Sequence, residues 1–336
     1  MKKILILGGT HFVGRALTEI LLQQTNEEYE VVLFNRGKSH PHLFPQLRKI
    51  QGDRETDALY QTCNEDWDAV LDISGYFPDT IQAYAERIKH HCGRYIFVST
   101  ASVYNLQNSE NKRITEDFEL LTCSKAERTD KTMATYGQRK VACEQALLQC
   151  NGLDAVIFRP SVVYGKYDPF DRHYYWLYRA KHNARILLPA SAKTSFDAFT
   201  YVNDLAQALI AAIHAPTHRQ VYNASTHAPT SLWEMVKAMA NALHTHPEWV
   251  EVPAHFLDHQ KVQVWTDIPL WMNGSFLMMD NTRLTQDFPI QLTPLQTSFE
   301  QTALYYEQLN WYLPKTGISL HEEEDVIELW EEKNNG

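Results

Sequence analysis

One stretch at the start of the chain restricts the possible folds more than any other. Lys3-Ile-Leu-Ile-Leu7 is a short apolar run, Gly8-Gly9-Thr10-His11-Phe12-Val13-Gly14 follows at once, and Val13, Ala16, Leu17, Ile20 and Leu21 then recur at helical spacing. A strand that passes through a glycine turn into a helix suits a dinucleotide. The glycines permit a tight turn, let main-chain N–H groups approach a pyrophosphate, and aim a helix N-terminus at its negative charge. Gly8, Thr10, His11, Phe12, Val13 and Gly14 are therefore the predicted pyrophosphate turn, and Phe12 to Gln24 the predicted helix.

The rhythm set there continues. Strands are predicted at Lys3–Leu7, Glu30–Phe34, Lys49–Gln51, Ala69–Asp72, Tyr95–Ser99 and Ala155–Phe158, alternating with helical segments. That alternation predicts an α/β chain: a Rossmann-type, doubly wound parallel sheet. After Pro160 comes a tract of Tyr, Trp, His and Arg, from Tyr164 to Arg185, with no clean period; it reads as pocket or lobe lining. Helices are predicted at Val202–His214 and Ser231–His244, the second opened by a Ser231/Glu234 capping box, with a strand at Gln220–Ala224 between them. The expected division is a dinucleotide-binding domain over residues 1–165, rejoined by 200–225, and a smaller C-terminal substrate lobe from 166–199 and 226–336. The acidic tail from Leu320 reads as a surface helix, with Ile327, Leu329 and Trp330 available for docking.

Composition removes other classes. A net charge of −10 over 336 residues, with scattered Lys and Arg, argues against nucleic acid. The first apolar run is too short for a signal peptide, and no run approaches a membrane span. Five cysteines without CxxC spacing point to reduced thiols and a cytoplasmic location. The pairs His214/His218 and His255/His259 have helical spacing but no acidic or cysteine partner nearby, so no metal is expected.

Two further groups carry chemistry. The second strand runs into Asn35-Arg36-Gly37-Lys38, where an NAD-specific turn places a carboxylate for the ribose 2'-hydroxyl. Arg36, with Lys38 beside it, offers a fork for a 2'-phosphate instead, which favours NADP over NAD. Tyr136 and Lys140 stand four apart on one helical face, where an ammonium can lower the cost of removing a phenol proton. They are the predicted acid/base pair and also candidate cofactor contacts.

These elements resemble the extended short-chain dehydrogenase/reductase superfamily, and the turn resembles the GGTxFxG form of its NAD-dependent epimerase/dehydratase branch, with His11 in place of the usual middle glycine. The resemblance implies that Asp53 accepts the adenine amino group, although an acid there also suits a strand-end turn. It further implies that Asp72-Ile73-Ser74-Gly75 passes beside the cofactor ribose. Phe97-Val98-Ser99-Thr100-Ala101-Ser102-Val103-Tyr104 is similar to the family's FSSSxxVY element, which makes Thr100 the third catalytic residue. Sugar-nucleotide 4,6-dehydratases carry Asp-Glu where this chain has Ala101-Ser102, which favours epimerase or reductase chemistry. Arg159-Pro-Ser-Val-Val-Tyr164-Gly165 resembles RPxxVYG, after which the substrate lobe is expected. Ser102, Tyr164, Arg172, Tyr175 and Trp176 are substrate-side candidates, and Asp204 falls in a segment like DVxDLA.

The expected partner is a small molecule such as a nucleotide sugar, and a second copy of the chain is a candidate partner. The alternatives are an NADPH-dependent reductase of a small carbonyl compound and a non-catalytic cofactor-sensing protein, since related members of this branch associate with plastid RNA.

Overall fold

Strands buried on both faces must be apolar at successive positions, and the first strand shows why. Ile4 and Ile6 join one apolar cluster while Leu5 and Leu7 join another, as a side-chain period of two requires. The computed structural model describes residues 1–24, 29–109, 112–216, 220–273 and 277–335. His218 of the spaced histidine pair lies outside the described residues.

The first half runs β1 (Lys2–Leu7), α1 (Phe12–Gln23), β2 (Tyr29–Asn35), β3 (Arg48–Gln51), β4 (Trp67–Asp72), α2 (Pro78–Ile88), β5 (Cys92–Val98), the short β6 (Arg113–Ile114), α3 (Tyr136–Leu148) and β7 (Ala155–Arg159). Then come β8 (Val162–Tyr164), α4 (Arg172–His182), β9 (Arg185–Pro189), β10 (Phe196–Asp197), β11 (Phe199–Tyr201), α5 (Val202–His214) and β12 (Val221–Asn223). The last third holds β13 (Thr230–Ser231), α6 (Leu232–Leu243), β14 (Glu248–Val252), α7 (Ala254–His259), β15 (Met278–Met279), α8 (Thr282–Asp287), α9 (Leu295–Gln308) and α10 (Leu320–Asn335).

The main sheet has seven strands in the order β12-β7-β5-β4-β1-β2-β3, all neighbours parallel. α1 and α5 cover one face, α2 and α3 the other. β1 stands where the order reverses: Leu7 is paired with Phe34 on one side and Asp72 on the other. Ligands of such sheets bind at the carboxyl ends beside that reversal. β12 returns late in the chain to the edge beside β7.

Outside the sheet, the pairs β8·β11, β9·β14 and β10·β13 shape the remaining chain. The tract from Tyr164 to Arg185 departs from the sequence expectation. It contains the regular helix α4, whose Tyr174, Tyr175, Trp176 and Leu177 are all buried. The capping box at Ser231 and Glu234 forms as predicted. The acidic tail is a docked helix: Ile327 is buried, Trp330 packs 5.1 Å from Phe256, Glu323 pairs with Arg179 at 3.1 Å, and Leu329 stays exposed. Among the described residues no helix is long and apolar enough to cross a membrane.

Candidate functional site

At the carboxyl end of β1 the chain must turn sharply and bring α1 close beneath it. Gly8 has φ +99°, and a Cβ on Gly14 would lie 2.0 Å from the Gly8 carbonyl oxygen, so only glycine fits at the second position. Phe12 leaves the turn in a left-handed conformation at φ +37°. The N-cap residue His11 makes no capping hydrogen bond, and the first turn of α1 carries no acidic side chain. The leading N–H groups are thus left without a side-chain acceptor, as an anion site requires.

These residues line one end of a groove of about 460 Å³. Gly8, Thr10, His11, Phe12, Val13, Asn35, Arg36, Lys38, Asp53, Ile73 and Ser74 all face it, together with Arg54, Tyr76, Phe77, Pro169 and Phe170. Most of the sequence-predicted cofactor residues therefore meet in one cavity. Gly75 is buried just behind it, and its carbonyl is held by Lys140. His11 is exposed at the rim, and partial burial with His40 nearby lowers its pKa, so the ring is not a standing cation at neutral pH. A second hollow, lined by Lys2, Asp68 and Arg94, lies at the opposite ends of the strands, away from the turn.

The fit to a dinucleotide rests on atoms as well as shape. Asn35 Oδ1 accepts from Gly37 N at 3.0 Å, while its buried Nδ2 has no partner and belongs to a groove residue. That is an unmade donor where a ribose or phosphate oxygen is expected. Arg36 and Lys38 are exposed on the rim. Asp53 Oδ1 accepts from Glu55 N at 3.0 Å, the strand-end turn foreseen as its other role.

Arg54 was not singled out from the sequence, yet it forms part of the groove wall. It pairs bidentately with Asp72 at 2.6 and 2.9 Å, donates to Ser74 Oγ at 3.1 Å, and Tyr95 donates to the same carboxylate at 2.6 Å. Burial opposes ionisation of Asp72, but the Arg54 charge and these hydrogen bonds outweigh it and hold the carboxyl below its ordinary range. Asp72 is thus a buried anchor rather than a ribose contact. The adjacent Asp53-Arg54 in the sequence was the available signal, but its partner lies on another strand.

Behind Tyr76 and Phe77 stands the predicted acid/base group. Thr100 Oγ1 accepts from Ser102 N at 3.1 Å, and the Thr100 side chain is near enough to the Tyr136 phenol to ease its ionisation. Gly137 lets α3 approach that segment, since a Cβ there would lie 2.1 Å from Ser102 O. Lys140 is only 2% exposed and donates to Gly75 O at 2.9 Å and Val98 O at 2.7 Å. Burial pushes its ammonium down to about 8. Burial pushes Tyr136 well up, the neighbouring Tyr76 adds to the rise, and Thr100 only partly offsets it. In this state the net shift of the phenol is upward, and Lys140 is not among its main causes. Two of the three lysine donors are spent on carbonyls, and Tyr136 holds its proton. Tyr76, 46% exposed, lies between groove and phenol, 6.3 Å from the Tyr136 ring and 5.7 Å from Lys140 Nζ.

The substrate-side candidates separate. Tyr164 and Trp176 are fully buried in the core, Tyr164 bonded to His227 and Ser298 and stacked on His173, Trp176 donating to Pro269 O at 2.7 Å. Tyr175 is buried as well. These three expectations are corrected: the aromatic face of α4 packs inward with Tyr175 and Trp176, and Tyr164, at the end of β8, points into the same core. Ser102 is exposed and Arg172 partly so. Asp204 accepts from Thr293 N and Oγ1 at 2.9 and 2.6 Å, a tie between elements.

The sequence matches the NAD dependent epimerase/dehydratase family over residues 4–225. The chain belongs to that family. A curated relative, chloroplast stem-loop binding protein of 41 kDa b from Arabidopsis thaliana, is 27% identical over 259 residues, which cover 72% of this epimerase/dehydratase family member and 63% of the relative. The match thus spans less than two thirds of that protein's length. Among solved structures, WbmH from Bordetella bronchiseptica in complex with NAD+ is 20% identical with a TM-score of 0.68, covering 92% of this chain and 99% of that one. UDP-glucuronic acid 4-epimerase from Bacillus cereus with NAD gives 17%, 0.67, 91% and 99%. dTDP-glucose 4,6-dehydratase from Bacillus anthracis with NAD gives 17%, 0.69, 93% and 99%. At these identities the likeness is one of fold.

Proposed function

We propose that this family member is an NADP-dependent epimerase or reductase acting on a hydroxyl or carbonyl carbon of a nucleotide-linked sugar. The observation that carries the reading is the Thr100–Tyr136 pair, backed by the fixed Lys140, behind a groove whose glycine turn and open helix N-terminus suit a dinucleotide. When bound, the nicotinamide supplies the hydride acceptor or donor. Gly8 to Gly14 hold the pyrophosphate, Asn35 Nδ2 meets the ribose, and Arg36 with Lys38 receives the 2'-phosphate. That rim is cationic and has no carboxylate at Asn35, which supports NADP.

Tyr136 keeps its proton in the free protein, so its hydroxyl is set to donate to a substrate oxygen, with Thr100 orienting that oxygen. Lys140 fixes the Gly75 and Val98 carbonyls at the floor of the site and keeps its third N–H for the ribose. Ala101 and Ser102 supply no carboxylate for water elimination, which supports epimerase or reductase chemistry over dehydration. The substrate lobe is assigned to residues 166–199 and 226–336. A stem-loop RNA partner, suggested by the plastid relative's name, is disfavoured by the net charge of −10.

The test screens nucleotide sugars and small carbonyl compounds by thermal shift with NADP or NAD present, then follows turnover on any hit. Tyr136→Phe is expected to keep cofactor binding and lose turnover. Unchanged turnover in that variant removes Tyr136 from the proton path.

A further inference from the structure

The segment that joins β4 to α2 has a fixed backbone and one free side chain. Ser74 N donates to Asp72 Oδ1 at 3.1 Å, Ser74 Oγ donates to Leu7 O at 3.2 Å, and Lys140 holds the Gly75 carbonyl at 2.9 Å. Gly75 has no room for a side chain, since a Cβ there would lie 2.6 Å from Phe97 and 2.7 Å from Ile81. Phe77 is the N-cap residue of α2, Pro78 follows it, and the Arg139 guanidinium lies 5.1 Å from its ring. Tyr76, between two fixed neighbours, is different. Its hydroxyl makes no hydrogen bond to a described residue, and nearly half of the residue is exposed. Only the packing of its ring holds it.

What the ring packs against is the acid/base group. Its centroid lies 6.3 Å from that of Tyr136, with the planes inclined at 44°, and Lys140 Nζ lies 5.7 Å from it. A tilted aromatic pair and a cation near a ring are modest attractions, which a ligand can replace. Tyr76 also lines the groove, together with Gly8, Arg36 and Phe77, whereas Thr100, Tyr136 and Lys140 are not among the residues that line it. The groove and the proton-transfer group are thus two compartments, and the Tyr76 ring is the partition.

That partition conflicts with the chemistry. A nicotinamide that exchanges a hydride must reach the carbon whose oxygen Tyr136 serves, and the Tyr76 ring stands on that path. Rotation about its Cα–Cβ bond clears the path without moving the backbone, and a half-exposed side chain changes rotamer in picoseconds to nanoseconds. Phe77 lacks this freedom, because Arg139 and the start of α2 hold it.

We propose that Tyr76 is a gate between the groove and the proton-transfer group: its ring covers Tyr136 and Lys140 until the nicotinamide end of a dinucleotide displaces it. Tyr76 is a positioning residue that acts by bulk, and its hydroxyl takes no part. This deepens the function proposed above and rests on it, because the groove is the same. A gate differs from an ordinary wall residue in two ways. A whole dinucleotide spends part of its binding on moving the ring, whereas a nucleotide that fills only the adenosine end does not. In the free chain, moreover, the closed ring shields the Tyr136 phenol from reagents in water.

The test titrates the full chain calorimetrically with NADP and with adenosine 2',5'-bisphosphate, for wild type, Tyr76→Ala and Tyr76→Phe. With the ring closed in roughly nine molecules of ten, Tyr76→Ala binds NADP about tenfold more tightly than wild type and the bisphosphate within about twofold of it. Tyr76→Phe keeps the ring and is expected to match wild type with both. In the ligand-free proteins, nitration of Tyr136 by tetranitromethane, read by peptide mass, is expected to be faster in Tyr76→Ala by about fivefold or more, and unchanged in Tyr76→Phe. NADP affinity in Tyr76→Ala equal to or below that of wild type overturns the gate and marks a contact residue. So does equal nitration of Tyr136 in those two proteins, or a bisphosphate affinity that rises as much as that for NADP. Tyr76→Phe behaving like Tyr76→Ala overturns a gate made by the ring. Where NADP binds wild type and Tyr76→Ala alike, the cofactor groove stands and only the gate is lost; where it binds neither, both fall.

Discussion

The two walls of the groove are built on opposite principles. On the sheet side, Arg54 and Tyr95 close on the Asp72 carboxylate, and the glycine turn is shaped by backbone alone. Beyond the opposite rim at Pro169 and Phe170, Arg172 lies against the Phe170 ring with its Nε buried and unpartnered, and Asp197 Oδ2 is likewise without a partner. Charges closed on one another give the sheet side a rigid shape. Buried polar atoms left without a partner cost stability.

The largest expected effect tests the closed wall. Arg54→Ala leaves the Asp72 carboxylate buried and unpaired and should destabilise the fold by about 3–5 kcal/mol in urea unfolding, whereas Arg54→Met combined with Asp72→Leu should recover most of the loss. Arg172→Gln should change stability by less than about 1 kcal/mol. If the two arginines cost the same, the contrast between the walls fails.

Gly14→Ala comes next. Its methyl would press on the Gly8 carbonyl, so the turn must shift, with a loss of about 1–3 kcal/mol of stability and more than tenfold of NADP affinity. Unchanged affinity would show that the turn does not hold the pyrophosphate.

A third experiment probes the open wall through pH. Burial pushes Asp197 up to about 7 from its ordinary 3.8. Below 3.8 both folded and unfolded chains carry it neutral. Between 3.8 and about 7 the unfolded chain ionises first, so this group's contribution falls as pH rises, by about 1.4 kcal/mol per pH unit at most, and levels off above about 7. Asp197→Asn should therefore stabilise the ligand-free chain by a few kcal/mol at pH 8 and clearly less at pH 5, read from melting temperatures. An effect equal at both values would mean that Asp197 is not held neutral by burial. Smallest is Arg36→Ala, exposed on the rim, which should weaken NADP about tenfold, about 1.4 kcal/mol, and leave NAD alone.

How much of this was visible in the sequence follows from the range of the interactions. β1, α1 and α5 are set by local periodicity, and the strand ends at Leu7, Asn35, Gln51 and Asp72 brought Gly8, Arg36, Asp53 and Ser74 to one groove as the alternation implied. Tyr136 and Thr100 met because strand order, a regular property of parallel sheets, brings α3 beside the end of β5. What failed depended on facing or distance. The aromatic residues of α4 gave no sign of which side would turn inward, so Tyr175 and Trp176 looked like pocket residues. Arg54 and Asp72 meet only because β3 and β4 carry them to the same end of the sheet, and Lys140 turned to carbonyls that no spacing rule reveals.

The central claim is that the glycine-turn groove is a dinucleotide site with a cationic rim. Calorimetric titration of the wild-type chain with NADP and with NAD tests it most directly. The account predicts one site per chain, with NADP bound at least tenfold more tightly than NAD and that preference lost in Arg36→Ala. Heat of binding from neither dinucleotide would contradict the groove assignment, and a wild-type preference for NAD would contradict the rim.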